Sequence, residues 1–161
     1  MQAITAHLVA DYLNIGTADN PDIQVISVAP QLSENPKMKV KTVHYTANKS
    51  ATEIPVGFAT EFSFEVDLYK DEKIGAFLRD VAEEQKMGVV CDYYSVRLYQ
   101  PAAAKPNTYY ARKFSVTPVL SSIKRQGGEI VSVQGSLKPL GDVTVGEFNI
   151  VTKAFTPAEG A

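Results

Sequence analysis

The sequence predicts a mainly β domain (α+β in class): a two-sheet β-sandwich or barrel flanked by one α-helix. Three observations support this prediction. The stretch 58–69 alternates apolar and polar side chains, as a half-buried strand does. The stretch 71–87 changes to a helical period, and β-type runs then return as far as residue 155. With 161 residues, the chain suits a single domain, 1–161, that buries a core of its own.

The N-terminal part gives weak signals. Residues 1–22 carry no motif, so we assign them to the domain without a role, and we predict a turn at 17–22, which contains an Asn-Pro pair. The alternation at 23–28 predicts a short strand. Two prolines with Ser and Asn between them predict a loop over 30–37.

The next segment, 36–53, is long, polar and poor in core residues. Lys37, Lys39 and Lys41 alternate with other residues, which is typical of a strand with one solvent-exposed face or of an extended arm. The stretch 46–53, which contains Lys49, predicts a loop. A segment with so few core residues is suited to contact with a partner.

The clearest strand lies at 58–69. One face carries only apolar side chains and the other is largely acidic. The apolar face consists of Phe62, Phe64, Val66 and Leu68, and the opposite face of Glu61, Ser63, Glu65 and Asp67. A solvated surface is the ordinary interpretation of the acidic face.

A helix is predicted over Asp71–Met87, and it should be the only long one. Its apolar stripe follows the i, i+3, i+4, i+7 spacing of one helix face. Asp71 is the expected N-cap, and Gly88 is suited to the position after the last turn. The stripe consists of Ile74, Phe77, Leu78, Val81 and Ala82.

After the helix the pattern is β throughout. A loop between two prolines at 101–107 and a turn at Gln126-Gly127-Gly128 separate some of the runs. The small, polar tail 156–161 should be flexible. The predicted strands are 90–99, 109–123, 129–137 and 143–155.

No residue set predicts catalysis. The chain has two histidines, His7 and His44, and one cysteine, Cys91, which are too few and too scattered for a zinc site. Cys91 follows two valines, so we expect a buried, inert thiol. Gly127-Gly128 is interpreted as a turn and not as a phosphate loop. We therefore expect no cofactor, no metal and no enzymatic activity.

The formal net charge of −2 disfavours tight binding of nucleic acid, whose phosphates a basic protein would hold, but not DNA that slides past a neutral or acidic wall. Short basic clusters at 37–41, Arg112-Lys113 and Lys124-Arg125 fit either a solvated surface or contact with another copy of the same acidic chain. No apolar run reaches the roughly 18 residues of a membrane span, and the N-terminus lacks the charged region of a signal peptide. We expect synthesis and folding in the cytoplasm, without membrane contact.

From 25 to 156, the succession of motifs resembles the major tail (tail tube) proteins of phages and prophages of Gram-positive bacteria. A glycine-led strand that closes on Phe-Thr is the most telling of these motifs. The motifs are His44-Tyr45, Asn48–Thr52, Val56–Phe58, Phe62–Val66, Tyr93–Tyr99, Tyr110–Val116, Ser132–Leu137, Leu140–Asp142, Gly146–Asn149 and Thr152–Thr156.

The resemblance implies a structural subunit of the virion tail, assembled in the host bacterial cytoplasm. Six copies form a ring, and rings stack into a hollow conduit through which DNA passes as transient cargo. The implied partners are other copies of the chain, the tape measure protein, the tail terminator and the tail tip or baseplate. Tubes of contractile bacteriocins and of type VI secretion particles share the fold and remain alternatives. From another class, a small ligand-binding β-barrel also fits the strand pattern.

The resemblance also suggests roles for two sets of residues. Glu65 and Asp67 become candidates for the lumen wall, where carboxylates would repel DNA phosphates within about 8 Å at physiological salt. The lysines of 36–53 become candidates for contact between stacked rings: Lys37, Lys39, Lys41 and Lys49.

Overall fold

The computed structural model describes residues 1–158, in which the chain forms eleven strands, one α-helix and a 3₁₀ turn at Ala6–Leu8. Residues 159–161, which belong to the tail predicted to be flexible, lie outside this part. In chain order the elements are β1 (Val9–Asn14), β2 (Ile23–Val25), β3 (Gln31–Asn35), β4 (Met38–Val43), β5 (Thr52–Phe58), β6 (Glu61–Asp67), α1 (Lys73–Glu83), β7 (Cys91–Pro101), β8 (Thr108–Lys124), β9 (Ser132–Pro139), β10 (Thr144–Asn149) and β11 (Ala154–Pro157).

Nine of these strands form one antiparallel sheet that curls into a half-barrel. Its order is β2-β1-β7-β8-β9-β6-β3, and the hairpin of β10 and β11 joins it through β8. The remaining strands, β4 and β5, form a small sheet of their own. The predicted mainly β class with one helix is confirmed, and the two layers of the predicted sandwich are parts of a single curled sheet.

An aromatic cluster fills the space inside the curl. The Phe62 ring from β6 lies with its centroid 4.5 Å from that of Tyr93 on β7 and 4.9 Å from that of Phe114 on β8. Contacts of this kind add stability beyond the area that they bury. The inward face predicted for 58–69 is confirmed. Further buried members of the cluster are Leu13, Phe64, Val66, Ile74, Leu78, Cys91, Val116, Val133 and Leu137.

A second, smaller core lies on the other face of β1 and β7. The Phe148 ring on β10 lies 4.7 Å from Tyr12 and 5.2 Å from Tyr94 between centroids. The predicted single strand 143–155 is wrong here, because a tight turn divides it into β10 and β11. The side-chain oxygen of Asn149 accepts the backbone N–H groups of Val151 and Thr152 and so closes this turn.

The same hairpin requires a glycine. A Cβ at Gly146 would lie 2.2 Å from the backbone oxygen of Thr156, so no other residue fits without moving the strand. Thr156 and Pro157 are paired in β11 with Glu147 and Gly146. The predicted flexible tail 156–161 is therefore wrong for its first two residues.

The helix lies where it was predicted but is shorter. The side chain of Glu72, and not that of Asp71, caps it by accepting the N–H groups of Ile74 and Gly75. At the other end Gln85, with φ of 51°, takes the left-handed position expected for Gly88. The Gln85 N–H bonds to the Ala82 carbonyl and the Lys86 N–H to the Val81 carbonyl, which is the pattern of a Schellman motif.

Three strands differ from the sequence prediction. The predicted loop 30–37 contains β3, a five-residue edge strand between two prolines that pairs with β6. The stretch predicted as a loop at 46–53 ends in β5, which pairs with β4. Within residues 1–22, β1 places Leu13 in the main core at 1 % exposure. Each of these strands is short and depends on pairing with another strand.

Shortening Leu78 tests the helix stripe. Leu78 is 2 % exposed and packs in the main core, so Leu78→Ala should lower the free energy of unfolding by about 2–5 kcal/mol in denaturant titrations. The control is Glu83→Ala on the solvent side of the same helix, which should change it by less than about 0.5 kcal/mol. Equal effects of the two changes would contradict the assigned orientation.

Candidate interaction surfaces

The β4–β5 hairpin, Met38–Phe58, projects from the sheet and is called the arm below. Among the described residues its strands pair only with each other, and nearly all of its residues are exposed. An isolated two-stranded hairpin is at best marginally stable in water. The arm is therefore a segment that a partner would stabilise.

The two faces of the arm differ in chemistry. Directly opposed residues of an antiparallel pair share a face, and the register pairs Met38 with Phe58 and Val40 with Pro55. Met38, Val40 and Phe58 are 52 %, 51 % and 65 % exposed. The opposite face carries the candidate residues Lys39 and Lys41, and the tip loop carries Lys49, all exposed.

At the root of the arm, one carboxylate bonds to two lysines. Glu61 accepts from Lys37 Nζ at 2.6 Å and from Lys138 Nζ at 2.9 Å, through a different oxygen for each. The hydrogen bond from Lys37, and after it that from Lys138, lowers the pKa of Glu61. Lys37 is therefore engaged within its own chain, which distinguishes it from the candidate lysines of the arm.

The outer face of β6 is more neutral than the sequence indicates. Glu61 is paired with the two lysines, so Glu65 and Asp67 carry the remaining negative charge of this strand. Both are partly exposed, and Ser132 Oγ donates to Glu65 Oε1 at 3.3 Å. On the neighbouring strands the residues paired with Glu65 are Gln31 and Gln134.

Several strand edges of the curled sheet lack a partner among the described residues: the outer sides of β2 and β11, and two edges that border the same part of the sheet. β3 pairs only with β6, and β8 beyond Val116 pairs only with β9. The strands β3, β6 and β9 with residues 117–124 of β8 are called the four-strand section. A row of paired residues crosses it from one edge to the other, namely Ser33, Ser63, Ser136 and Val119.

A polar seam closes the open end of the core. Glu34 on β3 forms a two-pronged ion pair with Arg112 on β8, with Nη1–Oε1 and Nη2–Oε2 distances of 2.8 and 2.9 Å. This pair raises the pKa of Arg112, and the hydrogen bond from Arg112 lowers the pKa of Glu34. Tyr93 donates its hydroxyl to Asp11 beneath it. An open cleft of about 850 Å³ lies over these groups.

Asp11 is the most perturbed carboxyl of this seam. Burial raises its pKa to about 6, and the hydrogen bond from Tyr93 only partly offsets that effect. No sequence signal pointed to this seam beyond a short basic cluster at Arg112, since its partners are distant along the chain. Arg97 also borders the cleft.

The residues considered for catalysis lie apart. His7 bonds to Thr5 in an exposed turn, His44 bonds to the Asn48 carbonyl in the arm, and burial raises the pKa of the Cys91 thiol to about 11. Over residues 1–158 no group of three His, Cys, Asp or Glu side chains is placed to hold a metal ion. Within the same range no helix is both long and apolar enough to cross a membrane.

Comparison with known proteins gives a match of fold. No family model matches the sequence, and no curated protein is significantly similar to it. Among solved structures, the chain is similar to one in the sheath and tube terminator of an extracellular contractile injection system, PVC, in its extended state. The TM-score is 0.59 at 10 % identity, with 90 % of this chain and 97 % of the other covered.

Two further matches come from gene transfer agent particles. A chain in the virion of the native particle gives a TM-score of 0.59 at 9 % identity, covering 89 % of this chain and 98 % of the other. A chain in the tail of the empty particle, determined with helical refinement and C6 symmetry, gives a TM-score of 0.53 at 11 % identity. The match covers 88 % of this chain and 98 % of the other. Each comparison spans nearly the whole of both chains, so the complete fold is shared.

Replacing Asp11 by asparagine tests the seam. The folded-state pKa of Asp11, about 6, lies above its ordinary value of 3.8, so stability present below pH 4 is lost as pH rises through 6. An asparagine at this position would still accept from Tyr93 without carrying a buried charge. Asp11→Asn should raise the free energy of unfolding by about 2–3 kcal/mol at pH 7.5 and leave it nearly unchanged at pH 4.

The measurement is thermal or urea unfolding of both proteins across that pH range. Asp19→Asn, in an exposed loop, is the control. It should leave the free energy of unfolding unchanged at both pH 4 and pH 7.5. A loss of stability at pH 7.5 in the Asp11 variant would show that the carboxylate stabilises the seam in its charged form.

Proposed function

We propose that the protein is a non-enzymatic structural subunit of a tail tube, in which six copies form a ring and rings stack into a hollow conduit. The observation that carries this proposal is the four-strand section, which among the described residues ends in an unpaired strand edge on both sides. An unpaired edge exposes a row of backbone N–H and C=O groups, and a neighbouring copy can satisfy them.

The strand directions suit such pairing. All neighbours in the section are antiparallel, so β8 and β6 run one way and β9 and β3 the other. The β3 edge of one copy therefore meets the β8 edge of the next in antiparallel orientation, and the sheet continues without a parallel junction. Such contacts are head-to-tail, and a ring closes them.

The likeness of fold supports the same assembly. The chain shares its fold with a chain from a contractile injection system and with one from a gene transfer agent tail, the latter determined with C6 symmetry. The virion tail is accordingly the proposed location, with assembly in the host cytoplasm. Tape measure, terminator and tip or baseplate proteins are the proposed partners beside the chain itself. Phage, prophage and contractile bacteriocin tubes all fit this proposal, as do type VI secretion tubes.

The arm is proposed to join stacked rings. It presents exposed apolar side chains on one face and Lys39 and Lys41 on the other, with Lys49 at the tip. It holds three lysines against one glutamate, a net +2, while the rest of the chain holds −4. A basic arm and an acidic body attract each other between copies, and the apolar face supplies burial.

The outer face of the four-strand section is proposed as the lumen wall, which places Glu65 and Asp67 beside the passing DNA. Around them the face consists of amides and hydroxyls, among them Gln31, Gln134 and Ser63. Of the lysines on this face, Lys138 is paired with Glu61, and Lys124 shares a row with Asp67 and Ser132. The carboxylates therefore offset the cations of the wall, which weakens its hold on phosphates.

A small ligand-binding barrel is less well supported. Aromatic rings fill the interior of the curl. The cleft at its open end mixes apolar residues such as Ile26 and Leu32 with the ion-paired Glu34 and Arg112, and it is open to solvent. Ligand pockets are typically enclosed and mostly apolar.

Cysteine crosslinking tests the ring. Ser33 and Val119 lie at opposite edges of the four-strand section, about 14 Å apart at roughly 4.8 Å per strand, which is too far for a disulfide within one chain. We expect Ser33→Cys combined with Thr117→Cys, Val119→Cys or Ser121→Cys to give, on mild oxidation, a ladder of products that ends at six chains. The three partners allow for stagger between neighbours.

The matched control combines Ser33→Cys with Thr152→Cys in the exposed turn between β10 and β11, and it should stay monomeric on the same denaturing gel. Absence of crosslinked products in all three edge variants would rule out pairing of these edges.

Removing the arm tests stacking. The Lys37 carbonyl accepts the Ala59 N–H at 3.0 Å, so Asn-Gly can replace residues 38–58 across a short gap. The shortened protein should fold and form rings, but electron microscopy should show no tubes. Tubes of normal length from this variant would assign the stacking contact to another part of the chain.

The wall is tested by changing Glu65 and Asp67 to lysine together. Neither side chain is in the core, so assembled particles should still form, and release of DNA from them should slow at low salt and recover at high salt. The measurement is the time course of DNA release. An unchanged rate at low salt would place both residues on the outside of the tube.

A further inference from the structure

The arm leaves and rejoins the body at a narrow root. The chain departs at Pro36 and Lys37 and returns at Ala59 and Thr60. Two hydrogen bonds close the root, from Ala59 N to the Lys37 carbonyl at 3.0 Å and from Thr60 Oγ1 to the Pro36 carbonyl at 3.3 Å. Beyond it, within the described part of the chain, β4 and β5 pair only with each other. The direction of the arm therefore depends on what holds the root.

Lys37 is the unusual residue of this root. Its φ is 43°, in the left-handed region that side-chain-bearing residues seldom occupy. Such a conformation persists only when surrounding contacts hold it. Here the contacts are the ion pair of its Nζ with Glu61 and the hydrogen bond from Ala59 to its carbonyl.

Glu61 connects this root to the body. One of its oxygens binds Lys37 and the other binds Lys138 on β9. The Glu61 side chain is 16 % exposed, whereas the two lysines are 52 % and 49 % exposed. Removing its charge would eliminate both attractions and leave two like charges facing each other across the gap.

We infer that Glu61 is a positioning residue: its carboxylate, held between Lys37 and Lys138, fixes the direction in which the arm projects before assembly. A fixed arm meets the next ring without first losing orientational freedom, and such preorganisation strengthens binding. Because the attraction is electrostatic and near the surface, salt weakens it. The link from arm direction to tube growth rests on the proposed function, whereas the fixing of the arm does not.

Spin-label distances measure the arm directly in the single subunit. Labels at Asn48→Cys in the tip loop and Glu83→Cys on α1 report the distance between the arm and the body. The native Cys91 is buried and its pKa is raised to about 11, so it should remain unlabelled. At low salt and below the concentration of assembly, we expect Glu61→Gln to widen the distance distribution at least twofold.

Glu147→Gln is the matched control, because Glu147 also accepts from a lysine, Lys105, at 2.6 Å but lies on β10. It should leave the distribution unchanged. Raising the salt concentration should widen the distribution of the native arm and have little further effect on Glu61→Gln. A Glu61→Gln distribution as narrow as that of the native protein would overturn the inference.

Charge inversion separates electrostatics from shape. The triple change Lys37→Glu, Glu61→Lys and Lys138→Glu restores the alternation with opposite signs and should recover a narrow distribution. Failure of the triple variant to recover it, while remaining folded by circular dichroism, would show that the lysine–glutamate alternation does not set the arm direction.

Tube growth then tests the consequence. Followed by light scattering, elongation of Glu61→Gln should be several-fold slower than that of native protein or Glu147→Gln. If Glu61→Gln shows a widened distance distribution but its tubes grow at the native rate, arm direction has no role in assembly. If native protein forms no tubes, the proposed function fails, and the distance measurement still decides whether Glu61 holds the arm.

Discussion

The architecture depends on the length of one strand and the partners that share it. Along one edge, β8 pairs with β10 over its first half and with β9 over its second. A register shift between Leu120 and Ser122 marks a bulge in the second half, where bulged strands bend and twist more strongly. At this place β9 has Gly135, whose Cβ would lie 2.5 Å from the Val119 carbonyl oxygen. The close approach permits the curl, and a larger residue would force the strands apart.

The curl creates both the core and the seam. It brings β6 over β7, so Phe62 meets Tyr93 and Phe114, and the same closure carries Glu34 to Arg112. The core end is apolar and tightly filled, whereas the seam end is polar and open. The ion pair is partly exposed, with 21 % and 34 % of the two side chains accessible, and such pairs add little net stability, because solvent screens the attraction. The seam is better understood as a fixed crosslink between layers, next to the root of the arm.

The surfaces that remain unsatisfied are those that a partner would cover. The β3 edge and the outer half of β8 expose backbone hydrogen-bonding groups. The arm exposes apolar side chains, whose burial against a partner would be favourable. The edges face sideways, across the strand direction, whereas the arm continues from the ends of the paired strands β3 and β6. The two kinds of surface can therefore serve two different directions of growth, within a ring and between rings, and neither competes with the other for the same contact.

Elements with a local signal can be predicted from the sequence alone. The alternation of 58–69 placed Phe62, Phe64 and Val66 inside, and the helical stripe placed Ile74, Leu78 and Val81 against the core, since both periods can be read from adjacent residues. Helix ends shifted because Glu72 and Gln85 make caps that the preferred cap residues Asp71 and Gly88 do not.

Strand pairing and the contacts between charged side chains depend on the tertiary structure and could not be predicted from local patterns. β3 and β1 are strands because β6, β2 and β7 lie beside them, and the loop-like composition of 30–37 gave no sign of this. Glu34 lies 78 positions from Arg112, Glu61 77 from Lys138, and Asp11 82 from Tyr93. Periodicity reports on neighbours within a few residues, so contacts over such separations arise only when the sheet curls and brings distant strands together.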